Sequence, residues 1–154
     1  MNDKIAIIGA GPLASILAHR IPTTARKVII GRPKAAAVAL ADEVGGIASD
    51  QASAVRGCRV VFVAVPTSEV AQALADIRQH VSAGGLVVNM AADLSTEDLA
   101  DDGLRVVAAK LIGHPRELEL GAQGVVVLDH VEPAEADLLA GLLAPVRPAS
   151  AQAP

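Results

Sequence analysis

The chain has 154 residues, with 13 lysines and arginines against 17 aspartates and glutamates, a formal net charge of -4, one phenylalanine and neither tryptophan nor tyrosine. That length suits one domain, and a 52% apolar share with only 19% charged residues supplies a sizeable core and excludes a disordered chain. A mildly acidic sequence with one aromatic ring lacks both the basic stripe and the stacking platform of a nucleic-acid binder, so no nucleic-acid partner is expected.

The first predicted element is a strand over 4–8, and an uncharged run over 5–18 begins after its Lys4. Glycines interrupt that run, and it is shorter than the roughly 18 apolar residues of a membrane span. A cytoplasmic protein with no membrane partner is expected. Further strands are predicted over 27–30, 59–65, 86–90, 104–109 and 125–128. Most are apolar on both faces, as in the unbroken series Val60, Val61, Phe62, Val63, Ala64 and Val65, which suits central strands covered from above and below. Alanine-rich helical patterns alternate with them. One follows the first strand, one spans 34–44, and a third places Val70, Leu74, Ile77 and Val81 on a single stripe. Ser95 opens a short helix with Glu97 and Asp98 in its first turn, and Pro133 stands near the start of a last helix running to about 143. The pattern is that of an α/β fold, a Rossmann-type doubly wound and mostly parallel sheet in a single domain over 1–146, with a flexible tail over 147–154. The lone Cys58 cannot form an internal disulfide and is expected as a small buried thiol.

Between the first strand and the first helix lies Gly9-Ala10-Gly11-Pro12-Leu13-Ala14, a G-x-G-x-x-A sequence in the context that gives the pattern its meaning. Gly9 permits the tight turn, Gly11 leaves room for a pyrophosphate against the backbone, and Ala14 keeps helix and strand close. Pro12 suits the first helical turn, whose unpaired N–H groups attract an anion. An acidic residue after the second strand would hold the ribose hydroxyls of NAD, but Gly31, Arg32, Pro33 and Lys34 stand there. Arg32 is suited to a ribose phosphate, and Lys34 adds charge beside it, so the expected cofactor is NADP.

The turn over 9–14, the Gly31-Arg32 step, the strand and loop over 63–66 and the segment over 86–95 resemble pyrroline-5-carboxylate reductases. They also resemble deazaflavin-dependent NADP oxidoreductases, both within the superfamily whose NADP-binding domain is like that of 6-phosphogluconate dehydrogenase. The resemblance implies that Gly9, Gly11, Pro12, Leu13 and Ala14 hold the pyrophosphate and that Arg32 meets the 2′-phosphate. It further implies that Val65, Pro66 and Thr67 line the cofactor ribose and that Asn89 and Ala91 approach the nicotinamide. Where pyrroline reductases carry Asn-Thr-Pro, this chain has Gly113, His114 and Pro115, which leaves the imine substrate open. In that family a C-terminal helical domain builds the dimer and completes the substrate pocket. The present sequence lacks it, so a homodimer is expected, with the second subunit supplying the rest of the pocket.

Reduction of a C=N or C=O bond needs a proton donor beside the nicotinamide. Lys110 and His114, placed after the strand over 104–109, are the candidate catalytic residues for a small-molecule substrate. No histidine-carboxylate cluster suggests a metal, and His19, His80 and His130 stand apart from the expected site. Two alternatives stay open: a module that binds NADP without turning it over, and a redox-neutral enzyme that reuses the nicotinamide pocket.

Overall fold

A computed structural model describes residues 4–22, 25–91, 104–112, 125–129, 131–143 and 147–148. The elements in chain order are β1 (Lys4–Ile8), α1 (Pro12–Arg20), β2 (Arg26–Ile30), α2 (Lys34–Val44), β3 (Ile47–Ser49), a 3-10 turn (Ala52–Val55) and β4 (Val60–Val63). They continue as α3 (Thr67–Ile77), β5 (Leu86–Asn89), β6 (Arg105–Ile112), β7 (Val125–Asp129), α4 (Pro133–Leu142) and β8 (Arg147–Pro148). The strands form one sheet in the order β3-β2-β1-β4-β5-β6-β7-β8, the doubly wound arrangement expected from the sequence.

Neighbours from β3 through β6 run parallel, β7 turns antiparallel to β6, and β8 pairs parallel with β7. The alternating side chains of each strand feed two core layers. One face sends Ile5, Ile7, Ile29, Phe62 and Val88 against Leu17, Leu40 and Leu139 of the helices α1, α2 and α4. The other sends Ala6, Ile8, Val28, Val61 and Val63 against Val70, Leu74 and Ile77 of α3. Phe62 is fully buried, and removing one such side chain from water contributes about 1.5–3 kcal/mol. Cys58 lies in the second layer, where burial pushes its thiol above the ordinary range while the nearby charges of Lys4 and Arg26 act in the opposite direction.

Several expectations change at their edges. The strand predicted over 59–65 ends at Val63, because Ala64 and Val65 leave the ladder toward α3, although the Ala64 N–H still donates to the Ile8 carbonyl. The stripe on α3 stops at Ile77, yet Val81 still packs against the same layer through a turn in which its N–H donates to the Ile77 carbonyl. Helix α2 ends on Gly45 at φ 71°, a left-handed cap that L side chains adopt at a cost. After it comes β3, a three-residue edge strand too short to show a period in the sequence. Residues 147–148, assigned to the tail by the sequence, pair with β7 instead. The helix expected at Ser95 lies outside the described residues.

On the far side of the sheet α4 is held by a capping box between Glu132 and Glu135. The Glu135 carboxylate also takes two hydrogen bonds from Arg105 at the start of β6, at 2.8 and 2.6 Å. That guanidinium holds the Glu135 carboxyl below its usual range. Among the described residues, no helix is long and apolar enough to cross a membrane.

Candidate cofactor cleft

The turn between β1 and α1 is shaped by the strand beside it. Gly9 adopts φ 126°, donates its N–H to the Ile30 carbonyl at 2.8 Å and lies so close to β4 that a Cβ there would stand 2.5 Å from the Ala64 carbonyl oxygen. No L side chain fits that position without a shift of backbone. Two residues on, Gly11 is the N-cap of α1 with extended backbone, and a Cβ there would meet none of the described residues within 4 Å. Packing among the described residues therefore does not require Gly11, and they leave the space beside it open.

No side chain caps α1, and Pro12 occupies its first turn, where its missing N–H removes no helical bond. The remaining N–H groups of that turn have no intrahelical acceptor, and the helix dipole adds a partial positive charge at the same end. An anion placed at Gly11 would meet these donors from Leu13 and Ala14. The turn, its open side and its donors thus fit a pyrophosphate.

From this turn a cleft of about 640 Å³ runs along the carboxyl edge of the sheet. Gly9, Gly11, Pro12 and Leu13 line it at one end, Arg32 stands at the end of β2, and Val65 and Pro66 lie between β4 and α3. Seven of the residues singled out from the sequence thus share one cavity. Arg32 is exposed, and its Nε donates to the Asp50 carbonyl oxygen at 3.3 Å, which fixes the guanidinium on the rim. Among the described residues lining the cleft it is the one cation, and Asp50, Glu69 and Asp76 line the same cleft. A phosphate entering here depends on Arg32 for its charge partner.

The other candidates sit elsewhere. Ala14 is buried in the core beneath the turn, so only its N–H could serve an anion. Lys34 opens α2 and is exposed, and Thr67 opens α3; neither lines the cleft. Asn89 and Ala91 lie at the end of β5, both buried and also off the cleft wall. The Asn89 Oδ1 accepts the Ala91 N–H at 2.9 Å, while its Nδ2 has no partner among the described residues. Lys110 does not follow the strand, as the sequence suggested, but stands within β6, paired in register with Val127. It is exposed, two residues beyond Ala108, which pairs with Asn89. Alternation puts Lys110 on the same face of the sheet as Asn89 and α3. His114 lies outside the described residues, as does His130. No group of three or more metal-ligating side chains occurs among the described residues.

The sequence reading missed the far half of the cleft. Asp50 and Ala52 reach it because β3 ends and the 3-10 turn begins there. Glu69, Gln72, Ala73 and Asp76 come from α3, at spacings of three, four and seven residues that mark one helical face. That spacing was readable beside the apolar stripe of Val70, Leu74 and Ile77, but nothing in it says that the face borders a cavity.

A family model of coenzyme F420-dependent NADP oxidoreductases matches residues 4–93, more than half of the chain. Its cofactor is the one expected from Arg32. No curated protein sequence matches. Among solved structures, the chain is similar to a 3-hydroxyisobutyrate dehydrogenase from Mycobacterium tuberculosis, with a TM-score of 0.78 at 18% identity over 96% of this chain and 53% of that one. It is similar to a pyrroline carboxylate reductase from Plasmodium falciparum with NADP bound, with a TM-score of 0.77 at 14% identity over 98% of this chain and 58% of that one. An imine reductase variant from Myxococcus stipitatus in complex with NAD+ gives a TM-score of 0.76 at 18% identity, covering 96% of this chain and 53% of that one. At such identities the likeness shows the shared fold, and the chain spans little more than half the length of these proteins.

Proposed function

Because the chain belongs to the coenzyme F420-dependent NADP oxidoreductase family, we propose that it holds NADPH in this cleft and reduces a C=N or C=O bond of a small metabolite. The observation that carries the proposal is Gly11: a glycine that packing among the described residues does not need, beside an uncapped helix N-terminus, in a cleft that Arg32 also lines. Gly11 and the N–H groups of Leu13 and Ala14 would hold the pyrophosphate, and Arg32 the 2′-phosphate, with Lys34 adding charge from the next helix. Val65 and Pro66 would support the ribose, with Thr67 at the head of α3 beside them. The end of β5, with Asn89 and Ala91, would face the nicotinamide.

The bound nicotinamide supplies a hydride, two electrons and one proton, to the electrophilic carbon. The oxygen or nitrogen of that bond then needs one more proton. Lys110 is the candidate donor, as an exposed ammonium beyond the carboxyl end of β5 that gives up a proton and regains it from water. His114 is the second candidate. We assign the remainder of the substrate pocket to the second subunit of a homodimer.

Titration of the purified protein with NADPH and NADH, followed by a panel of imines, ketones and deazaflavins, tests this directly. Tighter binding of NADPH and its oxidation by at least one class are expected. Binding without oxidation across the panel would leave a binding module and end the reductase proposal. Lys110→Ala and His114→Ala should separate the donors, the true one losing about 10²–10⁴-fold in turnover with cofactor affinity nearly unchanged.

A further inference from the structure

Besides Arg32 the cleft is lined by the apolar side chains of Ala52, Ala73 and Ile77, all packed into or against the α3 layer of the core. A flat base bound there would rest on these side chains, with its polar edge turned to the rim. On the α3 side that rim carries Glu69, Gln72 and Asp76, and Gln72 is its one amide. Its Nε2 donates to the Asp76 Oδ1 at 2.8 Å. A carboxylate only accepts hydrogen bonds, so this contact fixes which way the amide points: the nitrogen faces Asp76 and Oε1 is left as an acceptor. Among the described residues no donor meets that oxygen.

Resting on the cofactor assignment above, we infer that Gln72 is a specificity residue for the base of the dinucleotide. Its Oε1 accepts a hydrogen bond from the exocyclic amino group of adenine, and Asp76 is the positioning residue that keeps the amide in that orientation. The chemistry separates adenine from its closest relative. Hypoxanthine carries a carbonyl oxygen where adenine carries the amino group, so two acceptors would oppose each other at Gln72. A site with its acceptor fixed therefore rejects the hypoxanthine dinucleotide, while a site with a freely turning amide accommodates both.

The test compares NADPH with reduced nicotinamide hypoxanthine dinucleotide phosphate on the full chain, by fluorescence titration of the wild type, Gln72→Ala and Asp76→Ala. Both side chains are exposed, so neither variant should disturb folding, and circular dichroism checks this. The wild type should favour NADPH by about five- to tenfold, the range of one solvent-accessible hydrogen bond. Gln72→Ala should lose NADPH affinity by a similar factor and leave the analogue within about twofold, abolishing the preference. Asp76→Ala should narrow the preference by letting Nε2 turn toward the hypoxanthine oxygen. Equal binding of the two dinucleotides by the wild type, or an equal loss of both in Gln72→Ala, overturns the inference while the cofactor assignment stands. An unchanged preference in Asp76→Ala overturns the positioning role. Failure of the wild type to bind either dinucleotide overturns the cofactor assignment and this inference with it.

Discussion

Gly9 and Gly11 stand two residues apart in one turn, but different causes account for them. A Cβ at Gly9 would lie 2.5 Å from the Ala64 carbonyl oxygen, whereas one at Gly11 would touch none of the described residues within 4 Å. The first glycine belongs to the sheet, where β1 and β4 run side by side and the chain must leave between them. The second lines the cleft, where no described residue fills the space beside it. One motif therefore contains a glycine that the fold requires and a glycine proposed for binding, and they differ in what each side chain would strike.

The contrast breaks most sharply under substitution. Gly9→Ala forces a left-handed residue against a backbone oxygen and should cost about 2–4 kcal/mol of stability, read as a lower midpoint in urea unfolding. An unperturbed midpoint would show that the turn relaxes easily and that the distinction between the glycines is false. Next comes the cleft's cation. Arg32→Ala should weaken NADPH by about 1.5–3 kcal/mol and NADH much less, the difference being one charge-assisted contact; equal losses in the two titrations would remove Arg32 from the 2′-phosphate. Gly11→Ala should leave unfolding within about 1 kcal/mol of wild type while lowering NADPH affinity about tenfold, since the methyl group occupies the pyrophosphate's place.

The smallest effect lies on the opposite side of the sheet and serves as the control. Glu135→Gln should cost about 0.5–1 kcal/mol, kept low because Arg105 is half-exposed, and should leave cofactor binding untouched. Its pH dependence has a definite sign. The Glu135 carboxyl is held below its unfolded value of about 4.3, so its contribution is complete above that pH and disappears as the pH falls through the folded value. Wild type and variant should therefore differ at neutral pH and converge in acid, which thermal unfolding at several pH values would show.

The sequence by itself determined the local facts. Runs such as those over 60–63 are apolar on both faces because covered strands bury both, and the G-x-G-x-x-A turn and the missing carboxylate near Arg32 are short-range chemistry written within a few residues. Tertiary structure alone decided what meets across the chain. Asp50 reaches the cleft just after a three-residue strand that forms by pairing with β2, and Lys110 lies inside β6 because β7 lengthens that strand from the other side. The antiparallel direction of β7 and the polar face of α3 on the cleft follow the same rule. An element's periodicity reports which of its own faces is apolar; the identity of the neighbour and the space left between them arise only when distant segments pack.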